Sequence, residues 1–459
     1  MQEKTIELQR CRVSPAEEPT ATMTSLPLTF FDMEWINFHP LRRVFFYGFP
    51  CSHTHFVDTI IPQMTKSLSL TLKHYFPLAG NLIYPLNSSD ALPVLRYRPG
   101  DSVPLTFSES VRVSDFDYLS GHQSREADDF YAYAPHLLDK ITEPDSDDII
   151  IPLLSLQVTL FPETGICIGI ACNHVATDAR STFDFMKAWA SITKLGGSDS
   201  SFAGPSLDRS LIKDPHGLSI KKWNNIKKNK IEPPLSRIPI PTNRARFTFV
   251  LSHKDIEKLR AFVLEKRPNL VHLSAFTLAS SLAWTCMVKS ENSIACIDED
   301  ESLYFAFLAD ARLRCNPPLP EGYFGNCLAS GFIVESRNGD LRGENGFLIG
   351  VEKIGELIRR KANDKDEIFV GVEKWWENYA GLAGKRVIGV AESSKIDVYD
   401  ADFGWGRPKK FEFLSIDEDG YSMSVVKSRE FVGGLEIGLS LPVVLMDAFA
   451  GFFADALKK

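Results

Sequence analysis

The chain has 459 residues, 44% of them hydrophobic, with 32 phenylalanines and a formal net charge of -8. That length exceeds one compact domain of usual size, and that composition excludes large-scale disorder, so two or three domains with sizeable cores are expected. No basic excess of the kind that phosphate neutralisation needs is present, which argues against nucleic acid as a partner.

The N-terminus, MQEKTIELQR, is charged from the start and lacks an apolar h-region, so no signal peptide is visible. Met64, Leu68, Leu72 and Tyr75 recur at helical spacing and predict an amphipathic helix that ends near the turn at residues 77–80. Leu154, Leu156, Val158 and Leu160 alternate with Ser155, Gln157 and Thr159, which predicts a strand with one buried face. Residues 162–165 read as a hairpin-like turn into a second, more apolar strand over Gly165–Cys172. A helix is expected after His174, with Phe185, Trp189 and Ile192 on its buried side and Gly196-Gly197 at its end.

From about residue 196 to 241 the composition turns to Gly, Ser, Pro and Lys, with Pro233, Pro234, Pro239 and Pro241 stiffening the end. This segment reads as an interdomain crossover, and its cluster Lys221, Lys222, Lys227, Lys228 and Lys230 as solvated linker surface. The apolar run at residues 275–288 is too short to span a bilayer and reads as a buried helix, so no membrane partner is expected. Val351, Ile354, Leu357 and Ile358 mark another helix. Leu435, Ile437, Leu439 and Leu441 mark a strand, and Leu445, Ala448, Phe449, Phe452 and Ala456 a final helix. The reading is α/β, two mixed halves at residues 1–195 and 242–459 joined by a linker at 196–241. The eight cysteines show no CxxC pair and no metal-ligand spacing with His, so no metal is expected. Cys167 and Cys172 read as buried thiols, and a reducing cytoplasm fits them.

Three short segments carry chemical signals. In Asn173-His174-Val175-Ala176-Thr177-Asp178, His174 directly follows an apolar strand. That junction projects a side chain from a sheet end into a crevice, and histidine suits proton transfer near neutral pH. Alone, a His followed four residues later by Asp is commonplace, and a structural histidine is the commoner reading. In Asp402-Phe403-Gly404-Trp405-Gly406, two glycines around a tryptophan cost conformational entropy unless the backbone turns tightly there. A structural loop is the plainer reading of Asp402. Tyr323-Phe324-Gly325-Asn326-Cys327 again sets aromatics beside a glycine. No G-x-S-x-G elbow is present, which excludes the common serine hydrolase pattern. Gly381-Leu382-Ala383-Gly384-Lys385 has the wrong spacing for a phosphate-binding loop, and no G-x-G-x-x-G follows a strand.

Together these segments resemble the BAHD family of plant acyl-CoA-dependent acyltransferases, in particular its anthocyanin and phenolic glycoside branch. HxxxD stands at His174 to Asp178 and a complete DFGWG at Asp402 to Gly406, with the branch motif at Tyr323 to Cys327. The opening Leu26-Pro27-Leu28-Thr29-Phe30-Phe31-Asp32 and the segment from Leu70 to Gly80 match as well. The resemblance covers nearly the whole chain. It implies two similar chloramphenicol acetyltransferase-like domains with an active-site channel between them. It also implies acyl-CoA as co-substrate, no bound cofactor, and small-molecule substrates; nothing demands more than a monomer.

The resemblance further implies roles. His174 and Asp402 are the catalytic-motif residues, His174 as general base and Asp402 as organiser of its loop with Gly404, Trp405 and Gly406. Asp178 is expected to point away from substrate, held by an ion pair with Arg312. Ser274, Ala275, Phe276 and Thr277, opening a helix, are candidates for the CoA site. A malonyl donor carries a carboxylate and needs a cation, for which Arg180 is a candidate, although an early helix residue more often faces solvent. His39 is a candidate for the acceptor pocket. Asn173, Thr177 and Ser393-Ser394-Lys395 depart from the commoner family residues, and the last leaves the local loop and its contact with CoA open. The expected reaction moves an acyl group, malonyl favoured, from acyl-CoA to a sugar hydroxyl of a flavonoid, anthocyanin or other phenolic glucoside. A hydroxycinnamoyl donor, an aliphatic alcohol or amine acceptor, and a non-catalytic binding protein of the same fold are the alternatives.

Overall fold

Among the described residues the chain builds three β-sheets, and His174 stands just beyond the end of a central strand of the first. The structure is a computed structural model that describes residues 4–17, 23–85, 91–143, 146, 148–198, 202–232, 242–270, 272–362, 367–392, 394–417 and 420–458. The linker prolines Pro233, Pro234, Pro239 and Pro241, and Ser393, lie outside the described residues.

The first sheet runs Thr5–Val13, Val103–Ser110, Leu154–Phe161, Gly165–Cys172, Leu41–Tyr47, Lys410–Phe413. Its central strands are buried at every position. One face packs under helices Ile61–His74 and Ala179–Lys194, where Phe45, Val158 and Ile168 meet Met64, Leu68 and Trp189. The other face meets an aromatic cluster of Phe46, Phe116, Phe130, Tyr133 and Phe161. Covering both faces explains one departure from the alternation read above. Ser155, Gln157 and Thr159 do not face water but are buried. Gln157 Nε2 donates to Ala132 O at 2.8 Å and to Thr159 Oγ1 at 3.0 Å, which pairs these two buried polar side chains.

The helix after His174 starts at Ala179 rather than directly, because a turn over residues 174–176 intervenes. It buries Phe183, Phe185, Met186, Trp189 and Ile192, each worth roughly 1.5–3 kcal/mol when removed from water. It ends at Gly196 and Gly197, both at positive φ, with Gly197 N donating to Ile192 O.

The second sheet runs Leu328–Arg337, Ser302–Asp310, Arg386–Val390, Tyr421–Lys427, Leu435–Pro442, Arg244–Leu251, Arg125–Glu126. Helices Ala275–Ile294, Gly346–Leu357 and Val443–Lys458 share its core. The third sheet, Thr24–Pro27, Val94–Tyr97, Asn81–Tyr84, Ile149–Pro152 and Ile141–Thr142, flanks the first.

The sheets are not segregated by sequence. Lys410–Phe413, from the C-terminal half, pairs antiparallel with Leu41–Tyr47, and Arg125–Glu126, from the N-terminal half, pairs with Arg244–Leu251. A buried charge cluster fastens this exchange. Arg125 Nη1 meets Glu412 Oε1 at 2.8 Å, and Arg246 reaches Glu412 at 3.2 Å and Asp417 at 2.6 Å. Burial pushes the Glu412 carboxyl up, yet Arg125, Lys410 and Arg246 together bring it down to about 2.

The segment read as a linker contains a helix, Leu218–Lys228, and its lysines do not all meet solvent. Lys222, Trp223 and Ile226 form the buried face, and the Lys222 ammonium lies over the Trp376 ring. Burial pushes the Lys222 amine down to about 7, with Glu34 opposing. Among the described residues no helix is long and apolar enough to cross a membrane.

Candidate active site

His174 sits in the turn between strand Gly165–Cys172 and helix Ala179–Lys194. Asn173 shapes that turn. Its N–H donates to Leu153 O at 2.8 Å, and its side-chain Oδ1 accepts from Val175 N at 3.2 Å. The imidazole is 7% exposed. The Trp35 indole stacks flat on it, with ring centres 3.8 Å apart and planes 4° from parallel. Phe38 meets the same imidazole edge-on at 5.7 Å. Burial pushes the His174 imidazole down to about 4, the Arg43 guanidinium acts the same way, and its own backbone and Asp178 oppose. The ring is therefore neutral, and free to accept a proton, at physiological pH.

The imidazole opens onto a cavity of about 490 Å³, lined also by Trp35, Phe38, Phe307, Trp376 and Tyr379. Its walls come from both halves of the chain. Such a cavity, mostly apolar with few polar groups and a perturbed titratable residue, is the usual form of a small-molecule site.

Asp178 points away from this cavity. It caps helix Ala179–Lys194, with Oδ1 accepting from Ser181 N at 3.0 Å. Arg312 grips it through both arms, Nη1 to Oδ2 at 2.8 Å and Nη2 to Oδ1 at 3.0 Å. Cys327 N adds a third donor to Oδ2 at 3.1 Å. Burial pushes the Asp178 carboxyl up, but Arg312 and these donors hold it below the ordinary carboxylate range. Asp178 is thus a fixed anion that anchors the His174 turn to the C-terminal half.

Asp402 is elsewhere. Its Oδ1 accepts from Gly404 N and Gly406 N, each at 2.8 Å, and its Oδ2 from Lys194 Nζ at 2.6 Å. Gly404 and Gly406 adopt φ of 96° and 83°, which side-chain-bearing residues rarely do. Trp405 stacks on Phe49 and Phe403 at 5.5 and 5.4 Å, and Tyr47 meets it edge-on. Lys194 is the last residue of the helix that Asp178 caps. Sixteen residues at 1.5 Å rise set the two ends about 24 Å apart, so Asp402 belongs to its loop and not to the groups around His174.

The remaining candidates divide. Ser274 caps helix Ala275–Ile294, its Oγ accepting from Thr277 N at 3.1 Å. Phe276 packs on Phe307, which lines the cavity, whereas none of Ser274, Ala275, Phe276 and Thr277 lines it. Arg180 is outside the lining and engages Asp184 at 3.5 Å and Glu321 at 3.3 Å. His39 packs against Phe38, with its imidazole pushed down to about 4 by burial and then by Arg42.

Asp32 and Asn326 stand in two of the segments quoted above but were given no role of their own, and Trp35 and Arg43 were given none either. Asp32 and Asn326 had a signal, since each is a polar residue inside an otherwise apolar or aromatic segment, which buries a polar group only when it is paired. Trp35 had none, because stacking between residues 35 and 174 leaves no local pattern.

Comparison with known proteins agrees with this architecture. The Transferase family profile matches residues 5–455. Phenolic glucoside malonyltransferase 1 of Nicotiana tabacum is 45% identical over 456 residues, covering 98% of this chain and 99% of that protein. The malonyl-coenzyme:anthocyanin 5-O-glucoside-6'''-O-malonyltransferase of Salvia splendens is 42% identical, covering 98% of this chain and 95% of its own. Among solved structures, vinorine synthase superposes with a TM-score of 0.69 at 16% identity, covering 97% of this chain and 96% of that one, which shows a shared fold. With the HxxxD turn, the DFGWG loop and this match along its length, the chain belongs to the BAHD acyl-CoA-dependent acyltransferases of the Transferase family.

Proposed function

We propose that this enzyme transfers a malonyl group from malonyl-CoA to a sugar hydroxyl of a phenolic or anthocyanin glucoside, with His174 as general base. The observation that carries the mechanism is the neutral, buried His174 imidazole at the wall of a two-sided cavity. The imidazole takes the proton of the acceptor hydroxyl as its oxygen attacks the thioester carbonyl. The tetrahedral oxyanion collapses and expels the CoA thiolate, which takes the proton from the imidazolium. Both substrates meet at one base, so no acyl-enzyme is needed. The aromatic walls, Trp35, Phe38 and Trp376, suit a phenolic ring.

The donor and acceptor are supported by the names of the two relatives cited above. Asp402 is assigned loop organisation and Asp178 anchoring of the turn. The start of helix Ala275–Ile294 is assigned to the CoA side, since it packs against a cavity wall through Phe276. The halves are divided at the 196–241 crossover. The enzyme is read as a cytoplasmic monomer without a bound cofactor.

The test is a free-thiol assay of the purified chain with malonyl-CoA and p-coumaroyl-CoA, each against anthocyanin, flavonol and simple phenolic glucosides. Thiol release that requires both malonyl-CoA and a glucoside, and that is lost in His174→Ala, is expected. Preferential release from p-coumaroyl-CoA overturns the donor, and release that survives His174→Ala overturns the base.

A further inference from the structure

The segment at residues 323–327 takes no part in the reaction just described, and none of its residues lines the cavity. Three consecutive residues of it nevertheless hold the turn that carries His174. Gly325 N donates to Ser181 Oγ at 3.0 Å, and Cys327 N donates to Asp178 Oδ2 at 3.1 Å. Between them, Asn326 reaches the backbone of His174. Its Nδ2 donates to His174 O at 2.9 Å, to Val175 O at 3.2 Å and to Asp32 Oδ1 at 3.0 Å. Its backbone N–H also donates to Asp32 Oδ1 at 3.0 Å.

Asp32 supplies the other side of the arrangement. It lies in helix Phe30–Met33, and its Oδ2 accepts from Thr29 N at 2.9 Å and from Thr29 Oγ1 at 2.7 Å. Arg209 Nη1 donates to the same oxygen at 3.1 Å and to the Tyr323 hydroxyl at 3.1 Å. Trp35 N in turn donates to Asp32 O at 3.0 Å. The residue that places the indole over His174, and the carbonyl of His174 itself, thus converge on one side-chain amide. Asn326 and Asp32 are both fully buried, where an unmade hydrogen bond is costly. Gly325 makes room for it: φ there is 134°, and a Cβ would fall 1.9 Å from Arg209 Nη1.

We propose that Asn326 is a positioning residue for the base. It registers the His174 turn against helix Phe30–Met33 and the turn after it that carries Trp35, and so fixes the direction in which the imidazole faces the acceptor hydroxyl. The inference rests on the reading of His174 as the base. An amide is required, because three oxygens surround one nitrogen with two hydrogens, and neither a hydroxyl nor a carboxylate supplies both. Misplacing a base by about 1 Å costs on the order of 10²-fold in rate.

The test compares four variants in the thiol-release assay with malonyl-CoA and the best glucoside. Asn326→Ala is expected to lower kcat about 10²-fold while both KM values stay within about 3-fold, since no substrate contact is lost. Leu348→Ala, in the core of the C-terminal half, destabilises the fold without this effect on kcat per folded molecule. Asn326→Asp is the isosteric probe. The new carboxyl would stand against Asp32, with Arg209, Tyr323, His174, Cys327, Asp178 and Arg312 around it. Protonated, it donates one hydrogen bond; ionised, it repels Asp32. Its activity is therefore expected to rise as pH falls and to fall as pH rises, a limb the parent enzyme lacks. If Asn326→Ala does not fold, this pH profile decides alone. A kcat for folded Asn326→Ala within about 3-fold of the parent, a loss carried by KM, or an Asn326→Asp profile that overlays the parent's would overturn the proposal. Loss in His174→Ala without loss in either Asn326 variant separates failure of this inference from failure of the base assignment.

Discussion

The Lys194 ammonium meets the Asp402 carboxylate at 2.6 Å, and this contact docks the DFGWG loop at one end of a helix whose other end is capped by Asp178. The two family motifs are thereby joined through a single rigid element while remaining far apart.

Asp402→Ala is expected to act on the loop. It frees the Gly404 and Gly406 N–H groups and the Lys194 ammonium, so stability falls by about 1 kcal/mol, the scale of a lost capping residue, which is about 1–2 °C in melting temperature for a chain of this size. The acid limb of kcat/KM stays where it is, because Asp402 exchanges no proton with substrate. A shifted limb in pH–rate data would contradict this placement.

The pH profile itself follows from His174. Its folded imidazole is pushed down to about 4, below the ordinary value near 6.5. Activity that needs the neutral ring is then full at neutral pH and is lost only as pH falls through about 4. The same sign holds for stability: the unfolded chain takes up this proton first, so folding weakens as pH falls from about 6.5 toward 4. A rate profile for His174-dependent turnover with its acid limb near 6.5 would count against the buried, stacked ring.

Trp35 provides a direct check on that stack. Trp35→Ala admits water to the imidazole and removes the indole 3.8 Å away. The acid limb is expected to move upward toward the ordinary histidine range, and kcat to fall as the ring loses its fixed orientation. Titration of the His174 ring by NMR in parent and variant measures the first effect without turnover.

Arg312→Ala leaves Asp178 as an unpaired buried anion, since the pair is bidentate and both side chains are almost wholly enclosed. A loss of about 3–5 kcal/mol in chemical denaturation is expected. Arg312→Lys keeps the charge but not the two-armed grip, so it should recover only part of the loss. Equal stability of parent and Arg312→Ala would remove the anchoring role.

Part of this architecture is legible in the amino-acid sequence. The alternation from Leu154, the apolar run into His174 and the paired glycines around Trp405 each leave a mark within a few residues. What is not legible joins distant residues. Asp32 and Asn326 are 294 positions apart, and Trp35 and His174 share no periodicity. A four-residue strand such as Lys410–Phe413 does not announce which sheet it will complete. Nor does Lys222 announce its burial, because the same lysine-rich string serves a solvated or a packed helix, depending on what covers Trp223 and Ile226. Ser155, Gln157 and Thr159 mislead for a related reason: alternation reports polarity, while burial depends on whether a second layer arrives from elsewhere.

The exchanged strands decide how the molecule can move. Each half is completed by a piece of the other, and the buried ion pairs of Arg125, Glu412, Arg246 and Asp417 bind the pieces together. A protease cut through the 196–241 crossover would sever the chain without parting the enzyme, leaving a nicked but coherent body. Swinging the halves open would tear out a strand from each. Reaching the cavity beside His174 is therefore expected to need movement of loops and side chains at its mouth rather than separation of the halves.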